Sequence, residues 1–204
     1  MPDPAGRPPA PSGEGEPTVS LVPLRRRHLR SVLRIEQQVY PRPWTLGLFM
    51  SELNLRSSRH YVAARVEGTV VGYAGLMFGY DEAHVTNIAV DPAWQRHRIA
   101  TRLLVNLFRA ALARDARHVT LEVRMSNSAA QAMYRRFGFE TEGVRRNYYA
   151  ETNEDALVMW VHGIDSPEFL RRLDALEGPV AATTLDETGL LSAGPSDRFG
   201  EAGT

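Results

Sequence analysis

The chain has 204 residues, 24 basic and 24 acidic side chains, 43% hydrophobic residues and no cysteine. That length suits one domain with appendages and is enough to bury a real core. The lack of cysteine excludes disulfides, a thiol nucleophile and a cysteine-based metal site, and no apolar run approaches the ~20 residues of a membrane span.

Residues 1–17, with six prolines and three glycines, read as a disordered leader without the apolar segment of a signal peptide. The domain is expected over residues 18–163. "TVSLVPL" reads as a strand and "RRHLRSVLRIEQQVY" as an amphipathic helix. "PWTLGLFMSELN" reads as a second helix capped by Thr45. "YVAARVEGTVVGYAGLMF" is two strands joined at Glu67-Gly68, a hairpin signal. "AHVTNIAV" is a further strand stopped by Asp91-Pro92, and a helix from Arg98 to Ala113 buries Ile99, Leu103, Leu104, Leu107 and Ala111. "HVTLEVR" reads as a strand, "SNSAAQAMYRRFG" as a helix ended by Gly138, and "DALVMWV" as the final strand. "SPEFLRRLDALEG" predicts a short helix within 164–178, capped by Ser166 and ended by Gly178. Residues 179–204 read as a disordered tail. This order implies an α/β fold, a sheet with helices packed on it.

All 24 basic residues are arginine, and the zero net charge hides an asymmetry. Residues 18–163 hold 20 arginines against 13 acidic residues, a net +7 that the two ends offset with −7. A basic core suits an anionic ligand such as a phosphorylated cofactor; a solvated arginine-rich surface is the plainer reading. The arginines are dispersed and accompany no nucleic-acid motif, so direct nucleic-acid binding is not expected. The six histidines lack metal-ligand spacing, so no metal is expected. The chain reads as soluble and cytoplasmic.

Four features carry chemistry. "QRHRIA" sits between a strand and a helix start, where N–H groups and the helix dipole make an anion site. Such loops usually carry glycine, which lets backbone approach a phosphate; this one has Arg98 and Ala100 instead. Glu122 alternates away from Val119, Leu121 and Val123, as a solvated carboxylate or a proton acceptor would. Tyr134 shares core spacing with Ala130, Met133 and Phe137, and Asn127 precedes its helix as an N-cap would.

In order, "NIAVDPAWQRHRIATRLL", "LEVRMSNSAAQAMYRRFGFETEGVRRNYY" and "EDALVMW" resemble the GNAT acetyltransferase superfamily. Within it they resemble the ribosomal-protein alanine N-acetyltransferases of the RimI type, as do "IEQQVYPRPWT" and "LFMSEL". The resemblance covers roughly residues 18–163 and implies a mixed, mostly antiparallel central sheet flanked by helices. It implies acetyl-CoA as co-substrate, with Ile88, Ala89 and Val90 receiving the pantetheine arm and acetyl group. Arg96, His97, Arg98, Ile99, Ala100 and Thr101 match the loop that holds the pyrophosphate, and Asn127 a cofactor-contacting asparagine. Glu122 matches the general base and Tyr134 the general acid. The family pattern has glycine where this chain has Arg98. If that position needs left-handed backbone, arginine costs ~1–2 kcal/mol there, about tenfold in affinity at most. Each charge-assisted hydrogen bond retained contributes ~1.5–3 kcal/mol, so a working loop is expected.

The implied acceptor is a protein N-terminus, the alanine of a small-subunit ribosomal protein, with Trp44, Arg146, Tyr148 and Tyr149 as walls of its groove. Acidic Glu151, Glu154 and Asp155 are the groups that would meet an arginine-rich terminus. Two alternatives stay open: a lysine or small-molecule amine acetyltransferase, and a CoA-binding regulator without turnover.

Overall fold

Turn chemistry and alternation build most of the sheet where the sequence puts it. The computed structural model describes residues 16–190. β1 (Val19–Pro23) is followed by a 3-10 turn and α1 (Leu29–Val39), which buries Leu29, Val32, Ile35 and Glu36. α2 (Leu46–Asn54) starts at Thr45, whose side chain accepts from the Leu48 N–H. β2 (Arg59–Val66) and β3 (Thr69–Phe78) form the hairpin at Glu67-Gly68, both with positive φ, as a tight turn demands. β4 (Glu82–Val90), α3 (Ile99–Leu112), β5 (His118–Arg124) and α4 (Ser128–Arg136) follow. β6 (Glu140–Tyr149), β7 (Glu154–His162), α5 (Pro167–Ala181) and β8 (Thr184–Asp186) complete the described residues.

The eight strands form one sheet in the order β6-β7-β5-β4-β3-β2-β1-β8. Only β4–β5 and β1–β8 are parallel; the other pairs are antiparallel. The expected mixed, mostly antiparallel sheet is thus the observed one. One core lies between the sheet and α3, around Leu103, Leu104, Phe108, Leu121, Phe137 and Phe139. A smaller one lies under α1 and α2, around Val32, Ile35, Phe49 and Tyr73.

Two glycines on β3 allow close approaches. A Cβ on Gly72 would meet Ala89 O at 3.0 Å and Ile99 at 3.1 Å, so its absence lets the start of α3 settle onto the sheet. A Cβ on Gly75 would fall 2.2 Å from Tyr61 and 2.6 Å from Thr86 Oγ1. Here Gly75 faces Asn87 and Leu76 faces Val85, leaving Thr86 as a bulge in β4.

Three expectations need correction. "DALVMWV" is not the only strand after α4: residues 140–149 form β6, paired with β7, although they lack apolar alternation. The C-terminal helix does not stop at Gly178 but runs through Pro179 to Ala181. The tail expected to be disordered includes β8, which pairs with β1 from Val19 opposite Thr184 to Leu21 opposite Asp186. The two missed strands share a cause: pairing partners far along the chain, not local pattern, define them. Residues 1–15 and 191–204 of the expected leader and tail lie outside the described residues.

Candidate active site

A wedge opens in the sheet where β4 and β5 stop pairing. The two strands pair only from Glu82 opposite His118 to His84 opposite Thr120. Beyond that point β4 follows β3 to Val90 and β5 follows β7 to Arg124. Their carboxyl ends part, the position where open α/β sheets bind ligands. Ile88, Ala89 and Val90 form one edge, with no strand among the described residues on their β5 side. Tyr40 on the α1 side donates to the Ile88 carbonyl at 2.8 Å.

Past Val90 the chain turns on Asp91, whose carboxylate is fully buried, accepts from the Ala93 N–H at 3.0 Å and lies 2.5 Å from Arg34. Arg96 (φ 70°) and Arg98 (φ 54°) then take left-handed backbone, and no side chain caps α3. Arg98 therefore does occupy the conformation that favours glycine. The uncapped start leaves first-turn N–H groups without helical partners, at the positive end of the helix dipole. Two left-handed residues before such a terminus make a concave set of N–H groups, and that geometry fits a diphosphate.

Glu122 stands on β5 just past the fork, its side chain only 7% exposed. His84 Nε2 donates to its Oε2 at 2.6 Å across the fork, and Arg145 Nη1 lies 2.9 Å from Oε1. Burial pushes the Glu122 pKa up, but the His84 hydrogen bond and the His84 and Arg145 charges outweigh it and hold the carboxyl below its ordinary value. The residue is an ionised, oriented carboxylate, not the solvated one that the strand pattern also allowed.

Tyr134 is buried on α4, edge-on to Phe139 at 5.7 Å, and its hydroxyl makes no hydrogen bond among the described residues. Burial, then the neighbouring Tyr149, pushes its pKa well above the ordinary phenol value. It stays protonated at neutral pH, as a proton donor must. Asn127 caps α4 by accepting from the Ala130 N–H at 3.1 Å, so the plain capping reading holds for its oxygen.

On the other wall β6 bulges. Arg145 pairs with Ala156 and Tyr149 with Glu154, leaving Arg146, Asn147 and Tyr148 against Asp155 alone. Asn147 is left-handed (φ 49°), and its N–H donates to Asp155 at 2.7 Å. The bulge leaves Tyr148 exposed and edge-on to Tyr149, whose hydroxyl is 3.5 Å from the Glu122 carbonyl. Trp44 rests on Phe49 at 5.3 Å, and its backbone N–H donates to Glu36 at 2.6 Å. Glu36 also accepts from Tyr73, and burial raises its pKa against both hydrogen bonds.

Glu122, Tyr149 and Tyr148 are thus brought to one place. Arg146 is not: it points to Asp155 at 3.4 Å with its side chain 89% exposed. The acids expected to meet a basic substrate are already engaged. Glu151 (2.7 Å) and Glu154 (3.2 Å) both hold Arg124, which lies over the Tyr149 ring, and Asp155 holds Arg146. Sequence reasoning missed His84 and Glu36, and it placed Arg145 within the "RRNYY" groove wall without its contact to Glu122. For His84 a signal existed, a polar residue alternating with Thr86 on the strand opposite Glu122. For the Arg145 contact there was none without β6. Among the described residues no three His, Asp or Glu side chains could hold a metal ion. Among them also, no helix is long and apolar enough to cross a membrane.

Comparison with known proteins gives the same outline. Residues 29–139 match the model of the acetyltransferase (GNAT) family. The chain is 39% identical over 150 residues to the N-alpha-acetyltransferase RimI of Mycobacterium tuberculosis, covering 69% of this chain and 90% of that protein. It is 36% identical over 138 residues to the [ribosomal protein bS18]-alanine N-acetyltransferase of Escherichia coli K12, covering 67% and 92%. The crystal structure of the ribosomal-protein-S18-alanine N-acetyltransferase from Escherichia coli matches with a TM-score of 0.65 at 33% identity, over 71% of this chain and 94% of that one.

Proposed function

We propose, from the premise that this chain belongs to the acetyltransferase (GNAT) family, that it acetylates the N-terminal α-amine of a protein. As a member of that family it is an acetyl-CoA-dependent enzyme. The proposed acceptor is the N-terminal alanine of a small-subunit ribosomal protein, which the name of the Escherichia coli relative supports. Its expected compartment is the cytoplasm.

The observation that carries the chemistry is the ionised Glu122 carboxylate at the fork. An α-amine has a pKa of ~7.7–8.0 and is partly neutral at pH 7, whereas a lysine amine at ~10.4 is almost wholly charged. A carboxylate held below its ordinary pKa is a weak base, adequate for the first and poorly matched to the second. The amine nitrogen attacks the thioester carbonyl carbon, the new N–C bond forms and the C–S bond breaks. Glu122 takes the amine proton through water, and Tyr134 gives its proton to the departing sulfur. Backbone N–H groups near Val90 stabilise the charge that develops on the carbonyl oxygen. The loop from Arg96 to Thr101 holds the diphosphate and Asn127 adds a polar contact. Trp44, Tyr148 and Tyr149 line the acceptor groove; Arg146 stands at its rim.

The test is mass spectrometry of a peptide that starts with a free alanine, follows the ribosomal terminus and carries internal lysines. One acetyl group on the α-amine is the expected product. Acetyl on lysine moves the acceptor to a side-chain amine. No transfer despite acetyl-CoA binding favours a regulator without turnover.

A further inference from the structure

Arg102 is a cation buried in the first turns of α3, with 0% of its side chain exposed. Nε donates to Thr184 Oγ1 at 2.9 Å, and Nη2 to Thr183 Oγ1 at 2.6 Å and Glu16 at 3.2 Å. Nη1 donates to the His97 carbonyl at 2.7 Å. Its neighbours on the same stripe of α3 meet the same C-terminal segment. Asn106 donates to Thr188 at 2.7 Å, and Arg109 lies 2.6 Å from both Asp174 and Glu177. A polar stripe of α3 is thus covered by residues 174–188.

The His97 contact reaches into the loop. In a trans peptide the carbonyl of one residue and the N–H of the next point in opposite directions. With the His97 carbonyl facing Arg102, the Arg98 N–H faces away from it, and Arg98 sits at φ 54°. Glycine adopts that backbone freely, so a glycine loop needs no such hold. Arginine does, because its Cβ is crowded there.

We infer that Arg102, anchored by β8, is a positioning residue that locks the glycine-free loop in its anion-binding conformation. Through it the C-terminal segment sets affinity for the diphosphate of acetyl-CoA. This rests on the reading of Arg96 to Thr101 as the cofactor loop.

Calorimetric titration of acetyl-CoA into the full chain, at one salt concentration, separates the two. Arg102→Leu is expected to weaken binding about tenfold, equivalent to ~1.4 kcal/mol. In an Arg98→Gly background the same change is expected to weaken it less than about twofold, because glycine holds the loop unaided. Equal losses in both backgrounds overturn the inference, since Arg102 then supplies only charge or folding. No loss in either overturns it too. Thr184→Val keeps the charge and removes the anchor, so it decides the case should Arg102→Leu fail to fold. A roughly threefold loss, with wild-type binding in Thr184→Ser, is expected; unchanged binding in Thr184→Val overturns anchoring by β8. Absence of binding by the unmodified chain sinks the cofactor reading itself.

Discussion

The two walls of the wedge are built differently. On the β4–α3 wall most polar groups are covered and paired: Asp91 against Arg34, Tyr40 on the Ile88 carbonyl, Arg102 on four partners, with Arg34 Nη2 and Trp94 Nε1 left buried without a hydrogen bond among the described residues. On the β6–β7 wall the ion pairs lie nearer the surface: Arg124 meets Glu151 and Glu154 with side chains 16–25% exposed, and Arg146, 89% exposed, meets Asp155 across a bulge. A buried polar group left without its partner costs about 1–3 kcal/mol, so the first wall holds one geometry. Exposed ion pairs contribute roughly 0–1 kcal/mol, so the second can adjust. The stiff wall faces the ligand proposed to be constant, acetyl-CoA, and the adjustable one faces the proposed acceptor.

Substitutions can break this contrast or sharpen it. The largest effect is expected between the walls: Glu122→Gln lowers kcat about a hundredfold, and Tyr134→Phe by about tenfold or more, with acetyl-CoA binding preserved. Unchanged rates in both would remove their proposed roles. Tyr148→Ala, on the adjustable wall, is expected to raise the peptide KM about fivefold, a ~1 kcal/mol effect, while the KM for acetyl-CoA stays put. Equal changes in both KM values would show that the walls are not independent.

His84→Ala tests the fork through pH. In its proposed role Glu122 works as a carboxylate, so activity is expected to fall as pH drops through its pKa. His84 is the strongest influence lowering that pKa; removing it leaves burial, which raises it, opposed mainly by Arg145. The acid limb of kcat against pH should move to higher pH, whereas an unmoved limb would mean that Glu122 is not the titrating base. The smallest effect is expected from Arg146→Ala, within about twofold on any steady-state constant, because its side chain is almost fully solvated.

The same contrast governs what the sequence revealed. The β4–α3 wall is local: a strand, an Asp-Pro stop and a helix start within residues 82–112, readable from turn chemistry and period. The β6–β7 wall depends on pairing and a bulge that alternation does not announce, so Arg146 was chosen where Arg145 meets Glu122. Strand alternation separated Glu122 from the apolar face, yet its partner His84 lies 38 positions earlier. Burial of Arg102, Asn106 and Arg109 has no local signal, because the segment that covers them reads as a short helix and a disordered tail.

The pairing of β8 with β1 also has a consequence in time. Synthesis proceeds from the amino terminus, so a nascent chain that has emerged only as far as His162 contains β1 to β7 and all of α3. Its Arg102 then lacks the two threonine hydroxyls that arrive with residues 183 and 184. Among the described residues the strand nearest the start therefore waits for one made after α5, and the loop before α3 gains the side-chain contacts of Arg102 only then.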